Sequence, residues 1–235
     1  MTSIRKQKVY ALLKGIETGD PDSVKVVNEY KYIQHNPHTQ EGGEGLAQLF
    51  KRLSQTNPNV EIVRIFEDGD FVFAHTIYDF ASVGIAFEVF RYEGEQVVEH
   101  WDNIQPRTGN MVGGSTEVSD LELTEANRNL IRRLIDEFIS GKPEKIEKYI
   151  HRETFVEHSP TMDILEKAKK MKYTKNHRLL AEGNFVLAVN EGYNGEVHTS
   201  FYDLFRVDQG KIVEHWETTE AVPPRSQWKN DNGKF

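Results

Sequence analysis

An internal repeat is the feature that most limits how this chain of 235 residues can fold. Residues 87–102 read FEVFRYEGEQVVEHWD and residues 202–217 read YDLFRVDQGKIVEHWE, and the two segments align without a gap. Two earlier blocks, at residues 32–37 and 68–74, also have counterparts downstream in the same order. Because self-similarity at a fixed order is typical of repeated structural units, the sequence predicts two tandem copies of one domain.

The matched blocks also set the expected domain boundaries. Copy 1 is predicted over residues 1–106 and copy 2 over residues 121–220. Residues 107–120 are rich in Gly, Ser and Thr, which predicts a flexible linker. Residues 221–235 contain two prolines and many polar side chains, so we expect a loosely held tail.

Each copy has the pattern of helices followed by antiparallel strands. In copy 1 the first helical pattern stops at Gly19-Asp20-Pro21, a short helix is expected from Asp22, and a third over residues 44–54. Copy 1 continues with strands expected at 60–67, 71–79, 84–92 and 96–105. In copy 2, helices are expected near 122–140, 143–150 and 162–173, and strands near 177–182, 185–193, 196–207 and 211–219. Helices on one side of a curved antiparallel sheet make an α+β domain, here two cone-shaped domains in tandem.

Composition excludes several classes of function. The net charge of −8 argues against nucleic-acid or anionic-membrane partners, which attract clustered Lys and Arg. No apolar stretch approaches the roughly 20 residues that a transmembrane helix needs. The chain has no cysteine, which excludes disulfides and thiolate metal sites and is compatible with a reducing compartment, so we expect a soluble cytoplasmic protein.

The last hairpin of copy 2 indicates a paired carboxylate and histidine. The segment from Val207 to Lys211 contains Gly210 and fits a three-residue loop, in which Val207 lies opposite Lys211. Counting along the ladder then places Asp203 directly opposite His215, on one face of the sheet.

The alignment carries the same pair into copy 1, as Glu88 opposite His100. A two-residue turn there would instead pair Glu88 with Trp101. In the first register, which we favour, alternation puts Glu88, His100 and Asp102 on one face and Trp101 on the other.

A carboxylate beside an imidazole has two interpretations. The carboxylate fixes the tautomer of the histidine and raises its basicity, while apolar surroundings raise the pKa of the carboxyl group, so either could transfer a proton near neutral pH. The same pair is also a structural hydrogen bond across two strands. The sequence leaves both interpretations open.

Three further histidines are weaker candidates. His75 lies in the apolar strand pattern of residues 71–77, where a lone histidine is more often a core residue; copy 2 has Val189 there, so the fold does not require a polar group. His35 and His158 each precede a proline-containing loop, where a side chain commonly caps a turn.

A metal site built from His35, His75, His100 and Asp102 is conceivable, but the long spacing between these residues follows no metal-binding motif. No phosphate loop, nucleophile elbow or dinucleotide fingerprint occurs. We therefore predict neither a metal nor an organic cofactor.

These features together resemble the SnoaL-like polyketide cyclase and aldol-condensation family, within the nuclear-transport-factor-two-like superfamily that also contains the steroid isomerases. The resemblance covers nearly the whole chain outside linker and tail, and it depends on residues 32–37, Gly69-Asp70 with His75, residues 90–102, residues 203–206 and residues 210–216.

The resemblance implies a cone-shaped pocket, no metal or organic cofactor, and an Asp near the Phe-Arg pair that acts as general acid/base on a carbonyl compound. That position is Asp203 in copy 2 and Glu88 in copy 1. Copy 1 departs from the family by one methylene, and copy 2 has Val189 where copy 1 has His75. We favour copy 1, which has more of the histidines.

Three hypotheses for the function follow. The first is a cofactor-independent acid/base enzyme for aldol condensation, cyclisation or isomerisation of a small apolar carbonyl compound. The second is a non-catalytic binding module for an apolar small molecule, and the third is a structural scaffold in which the copies form an intramolecular pseudo-dimer, with a homodimer also open. The candidate catalytic residues are Glu88, His100, His75, His35, Asp102, Asp203 and His215.

Overall fold

A computed structural model describes residues 3–158 and 164–235, without the side chains of residues 165, 167 and 168. It divides into two compact units. Unit 1 contains Met1–Pro106 with Pro223–Phe235, and unit 2 contains Arg107–Val222. Within the described residues, every helix is too short or too polar to cross a lipid bilayer.

Unit 1 has two α-helices and a five-stranded sheet. Its α-helices and strands in chain order are α1 (Ile4–Thr18), β1 (Ile33–Gln34), α2 (Gly42–Ser54), β2 (Asn59–Asp68), β3 (Phe71–Asp79), β4 (Val83–Glu93) and β5 (Gln96–Pro106). The short helix expected from Asp22 is a 3-10 helix, Pro21–Val26. The strand order is β1-β5-β4-β3-β2. Strands β2 to β5 are antiparallel, as predicted, whereas the two-residue β1, which the sequence pattern missed, pairs parallel to β5.

Local sequence signals explain the limits of helix α1. The side chain of Ser3 accepts a hydrogen bond from the backbone N–H of Lys6 at the N-terminus. Gly19 adopts the left-handed conformation at the C-terminus, with φ of 67°, and its N–H donates to the carbonyl of Gly15. The predicted stop at Gly19-Asp20-Pro21 therefore agrees with the structure.

Unit 2 repeats the arrangement with the strand order β6-β10-β9-β8-β7. Its elements are α3 (Thr124–Ile139), β6 (Val156–Glu157), α4 (Ile164–Lys170), β7 (Met171–Glu182), β8 (Phe185–Asn194), β9 (Val197–Asp208) and β10 (Lys211–Ala221). Helix α4 is shorter than the predicted 162–173, and β7 begins at Met171 rather than near 177. Residues 162 and 163 lie outside the described residues.

The segments predicted to be a flexible linker and a loose tail are both packed. In unit 1, Lys234 is 2% exposed and the backbone N–H of Lys229 donates to the carbonyl of Pro37 at 2.8 Å. In unit 2, the indole N–H of Trp216 donates to the carbonyl of Gly113 at 2.9 Å. Backbone and side-chain hydrogen bonds thus fix segments whose composition alone suggested disorder.

One face of each sheet packs against the helices and forms the core. In unit 1 this core combines Leu12 and Ile16 of α1 and Phe50 of α2 with Val72 and Ala74 of β3. The equivalent core of unit 2 combines helix α3 with the same face of its own sheet. This arrangement confirms the predicted α+β class and places the candidate site on the helix-facing side of the sheet.

Candidate functional site

Unit 1 contains a cavity of about 260 Å³ between its helices and the sheet. The walls are predominantly leucine, isoleucine, phenylalanine and tyrosine, and the polar groups are concentrated on β1, the following loop, β4 and β5. The lining residues are Leu12, Leu13, Ile16, Tyr32, Gln34, Asn36, His38, Thr39, Leu46, Leu49, Phe50, Arg52, Leu53, Tyr78, Phe80, Glu88, Phe90, His100, Asp102 and Ile104.

Glu88 and His100 meet at the wall of this cavity. His100 Nε2 lies 2.6 Å from Glu88 Oε2, and both side chains are buried. Both residues line the cavity together with Asp102, so three of the predicted candidates share one face of the sheet as expected. The arrangement provides a buried carboxylate–imidazole pair in contact with an apolar space.

The predicted strand register, however, is wrong by two residues in both copies. Glu88 pairs with Asp102 and His100 with Phe90 in the ladder, while in copy 2 Asp203 pairs with Glu217. In both copies the turn between the last two strands has two residues rather than three, which shifts the pairing by one residue. A β-bulge, between Arg91 and Tyr92 in copy 1 and between Ile212 and Glu214 in copy 2, shifts the pairing by one more residue. A shift of two preserves the face, so the pair still forms, as a diagonal contact.

The hydrogen bonds around Gln34 show that the ring nitrogen of His100 that faces away from Glu88, Nδ1, is protonated. Gln34 Nε2 donates to the hydroxyl oxygen of Tyr32 at 3.1 Å, and Gln34 Oε1 accepts from the backbone N–H of Asn36 at 2.9 Å. His100 Nδ1 lies 3.1 Å from the same Oε1, so Nδ1 is the donor. The other ring nitrogen, Nε2, is the one that faces Glu88.

Opposing effects act on the charge of His100. Burial lowers its pKa, but the hydrogen bond and charge of Glu88 and the charge of Asp102 raise it, with a smaller lowering by Lys234. The net result is a pKa above the ordinary histidine value. The site therefore favours an imidazolium next to a carboxylate.

Asp102 is held by groups from two other segments of unit 1. Asn36 Nδ2 donates to Asp102 Oδ2 at 2.7 Å. Lys234 Nζ, from the last residues of the chain, lies 3.5 Å from Asp102 Oδ1, and both side chains are buried. The positive charge of Lys234 offsets the second carboxylate of the site, since a buried charge needs a partner.

Two tyrosines complete the wall. The hydroxyl of Tyr78 donates to Glu88 Oε1 at 2.7 Å. Burial, with the charge of Glu88, raises the pKa of Tyr78 well above the usual range; burial and the charge of Asp102 do the same for Tyr32. Both phenols stay protonated; the proton of Tyr78 is donated to Glu88, whereas the hydroxyl of Tyr32 accepts from Gln34 and its own hydrogen is available to a ligand.

His75 is not part of this site. It lies in β3 on the opposite face of the sheet, fully buried, where its ring is 4.7 Å from that of Phe87 and its Nδ1 is 3.0 Å from Arg64 Nη1. The residues of β3 that contact the helices are Val72 and Ala74, which alternate with His75 along the strand, so this candidate lies away from the cavity.

His35 is also outside the cavity. Its ring stacks on Trp101 with centroids 4.7 Å apart, its Nε2 is 2.9 Å from Glu99 Oε1, and its Nδ1 is 2.8 Å from the carbonyl of Gly233. In unit 2, His158 stacks on Trp216 at 4.8 Å and lies 3.1 Å from Glu214 Oε1. The repeated arrangement ties the loop after β1 or β6 to the neighbouring strand, which supports the capping interpretation.

Unit 2 brings Asp203 and His215 together in a more enclosed setting. His215 Nε2 lies 3.2 Å from Asp203 Oδ1, and His215 Nδ1 lies 2.9 Å from each oxygen of Glu157. Asp203 Oδ2 accepts from the hydroxyl of Tyr173 at 2.8 Å and from the amide of Asn190 at 3.0 Å. Burial lowers the pKa of His215, but the charges and hydrogen bonds of the two carboxylates raise it to about 9.

Among the residues that the structure describes, one group of side chains could hold a metal ion. The ligand atoms of Glu88, His100 and Asp102 lie within 4.8 Å of one another, whereas His35 and His75 of the conceivable set lie elsewhere. Each atom already has a protein partner: His100 Nδ1 donates to Gln34, and Lys234 neighbours Asp102. A cation would have to displace Lys234 and deprotonate His100, so this donor set fits a proton-transfer site better than a metal centre.

Sequence reasoning missed several polar groups of the site. Gln34 stood in a matched block but carried no chemical signal of its own, and Tyr32, Tyr78 and Lys234 had none. Copy 2 offers glutamate, not glutamine, at the Gln34 position, namely Glu157. That difference was the available sign that the two histidines have different surroundings.

No family model matches the chain, and no curated protein matches it. Solved structures that resemble it include TsrD from Streptomyces laurentii, at 19% identity and a TM-score of 0.39, with 45% of this chain and 92% of that one covered. IdmH from Streptomyces antibioticus, a candidate polyketide cyclase, has 14% identity and a TM-score of 0.39, with 44% and 93% covered.

A hypothetical protein with a ketosteroid isomerase-like fold from Catenulispora acidiphila, solved in complex with trimethylamine, has 18% identity and a TM-score of 0.36. That match covers 41% of this chain and 83% of the other. Each of these matches covers less than half of this chain.

Proposed function

We propose that unit 1 is a cofactor-independent acid/base enzyme that acts on a small apolar carbonyl compound, by aldol condensation, cyclisation or double-bond isomerisation. The observation that supports this proposal is the buried Glu88–His100 pair, 2.6 Å apart, at the wall of an apolar cavity of about 260 Å³. A general base within reach of an enclosed substrate is the minimum that proton abstraction next to a carbonyl requires.

In this proposal Glu88 accepts the proton from the carbon next to the carbonyl group. Each of its oxygens already receives one hydrogen bond, from Tyr78 or His100, and each retains a second lone pair for the substrate proton. His100 orients the carboxylate and can return a proton to a second carbon. Because Gln34 fixes the proton on Nδ1, the exchangeable proton of His100 is the one on the Glu88 side.

The developing negative charge on the carbonyl oxygen needs a donor. Tyr32 lines the cavity, and its hydroxyl oxygen accepts from Gln34, so its own hydrogen can point to a ligand. The raised pKa of Tyr32 keeps that hydrogen in place at neutral pH. We assign Tyr32 as the group that polarises the carbonyl.

A second candidate function is a binding module for an apolar small molecule. Both oxygens of Glu88 already have protein donors, which is also the arrangement of a carboxylate whose role is structural. This candidate predicts binding of ketones without proton exchange.

The test measures deuterium incorporation next to the carbonyl of cyclohexanone and 2-decalone in D₂O by proton NMR. Glu88→Gln keeps the shape of the side chain and removes the base, so the enzyme-dependent exchange rate should fall by about 10²–10⁴-fold. Asp203→Asn, the matched substitution in unit 2, should leave the rate within about twofold of wild type, and near-ultraviolet circular dichroism checks both folds.

Equal losses from the two substitutions would contradict the assignment to unit 1. Exchange no faster than in buffer, with either ketone bound, would reject the enzyme and favour the binding module.

A further inference from the structure

A smaller cavity, of about 140 Å³, adjoins the apolar cavity of unit 1. The two share four lining residues, which are His38, Thr39, Leu49 and Arg52. They are therefore neighbouring parts of one opening, and a ligand longer than the apolar part would extend into the smaller one.

The two parts differ in chemistry. Apolar side chains dominate the larger cavity, whereas the smaller one is lined by Gln40, Gln48 and the cations Arg52 and Lys229. No carboxylate is among the residues that line the smaller cavity. In a chain with 37 acidic and 29 basic residues, a purely cationic opening is a local departure from the average.

The side-chain charges of these two cations are unpaired among the described residues. Within residues 3–158 and 164–235, the side chains of Arg52 and Lys229 make no salt bridge or hydrogen bond, and both residues are exposed. The nearest acidic residue on α2, Glu44, accepts a hydrogen bond from Gln48 at 3.2 Å instead. The positive charge at this opening is thus available to a ligand.

The position of Lys229 is fixed by the backbone around it. Its N–H donates to the carbonyl of Pro37 at 2.8 Å. The amide of the next residue, Asn230, donates to the carbonyls of Asn36 and Thr39 at 2.8 and 3.0 Å. The C-terminal segment therefore presents Lys229 at the mouth of the cavity and not as part of a free tail.

We propose that the ligand of unit 1 is an apolar oxo acid, whose carboxylate lies in the 140 Å³ cavity against Arg52 and Lys229 and whose apolar body fills the 260 Å³ cavity. The planar guanidinium of Arg52 suits a carboxylate, and Lys229 adds a second positive charge. The position of the carbonyl group, at the Glu88 end of the ligand, rests on the proposed function. The carboxylate subsite rests only on the residues that line the 140 Å³ cavity.

The test compares octanoate with methyl octanoate, which have the same apolar chain and differ in charge. Isothermal titration calorimetry on the full chain should give about tenfold tighter binding of octanoate at low salt, and the difference should shrink as salt is added. Arg52→Gln and Lys229→Gln should each weaken octanoate binding by about three- to tenfold and leave the ester unchanged. Lys51→Gln, on the same turn of α2 but outside both cavities, should alter neither.

Three results would overturn the carboxylate subsite: equal affinity for octanoate and its ester, equal weakening of both by Arg52→Gln, or no binding of either probe at millimolar concentration. Tighter binding of octyl phosphate than of octanoate would overturn the choice of carboxylate over phosphate. The assay involves no turnover, so Glu88→Gln should keep the preference for octanoate. If the wild-type protein prefers octanoate to methyl octanoate but exchanges no ketone proton, the proposed enzyme activity is rejected and the carboxylate subsite is upheld.

Discussion

His100 and His215 occupy equivalent positions in the two copies but have different partners. His100 lies between the carboxylate of Glu88 and the amide oxygen of Gln34, whereas His215 lies between the carboxylates of Asp203 and Glu157. Two carboxylates stabilise an imidazolium more than one does, and His215 is completely buried. We therefore expect His215 to be protonated at neutral pH, whereas our proposal for unit 1 assigns proton transfer to the Glu88–His100 pair.

The pKa of His215 makes a prediction about stability. Its value of about 9 in the folded chain is above the ordinary 6.5, so the contribution of His215 to folding is complete below about pH 6.5. That contribution should be lost progressively as the pH rises through about 9, because the folded chain must then give up a bound proton. Urea unfolding of the full chain, followed at pH 6.5 and 9.5, measures the loss.

The control for this prediction is His215→Gln, which still donates a hydrogen bond but carries no charge. The variant should start less stable at pH 6.5 and lose less of its free energy of unfolding between the two pH values. An identical loss in the variant and in wild type would assign the pH dependence to other groups and contradict the charged state of His215.

The sequence correctly predicted which residues lie together where polar side chains alternate with apolar ones along a strand. Alternation on β4 and β5 correctly placed Glu88, His100 and Asp102 together. Alternation could not decide which face His75 occupies, because β3 is buried on both faces and its pattern carries no signal for which face meets the helices. A side chain such as Lys234 was unpredictable, since its partner Asp102 is 132 residues away in the chain.

At the level of elements, the repeat predicted the helix and strand order, but the register depended on details of the turn. Gln209 and Gly210 both have positive φ, at 48° and 72°, and form a two-residue turn. The sequence of this turn equally fits a longer loop with glycine in the left-handed region, which is why the predicted pairing was displaced. The compensating bulge leaves no mark in the sequence.

The C-terminal segment, residues 223–235, is the element whose role is easiest to test. Its hydrogen bonds to the rest of unit 1 include those from Lys229 to Pro37, from Asn230 to Thr39 and from His35 Nδ1 to the carbonyl of Gly233. Net contributions of about 0.5–1.5 kcal/mol per hydrogen bond, less the entropy of ordering, predict that deletion costs unit 1 about 1–3 kcal/mol of unfolding free energy.

Hydrogen-exchange mass spectrometry on the chain ending at Val222 provides the measurement. Exchange should accelerate at residues 33–40 and the neighbouring part of β5, while β8 and β9 in unit 2 keep their protection. Lys234→Met in the full chain serves as the matched control, because it removes the charge beside Asp102 and keeps the backbone contacts. Unchanged protection after the deletion would show that the segment contributes nothing to unit 1.

For the whole molecule, the two units are alike in fold and unlike in the state of their acid/base pair. In unit 2, Asp203 is held by His215, Tyr173 and Asn190, and its histidine faces a second carboxylate, Glu157. In unit 1 the pair lines a cavity whose walls all belong to that unit, including residues from both helices. The saturated hydrogen bonding of unit 2 favours a structural role there.

Composition could not predict which unit the linker and tail join. Gly, Ser, Thr and Pro indicate the absence of regular structure, but they do not identify the surface that accepts the backbone hydrogen bonds. The residues that decide this, such as Trp216 with Gly113 and Pro37 with Lys229, are far apart in sequence. Only the folded structure brings them together.

The difference between the units predicts a stoichiometry of one ligand per chain. Titration of octanoate should saturate at one equivalent, and bound ligand should slow hydrogen exchange in helix α2 and in β4 and β5 of unit 1 only. Leu46→Trp, which fills the apolar cavity beside Phe50, should abolish binding, whereas Asp203→Asn should leave the affinity within about twofold, because Asp203 belongs to unit 2 and is not among the residues that line that cavity. Saturation at two equivalents, or protection around Tyr173 and His215, would mean that unit 2 also binds and that its hydrogen-bonded pair opens to a ligand.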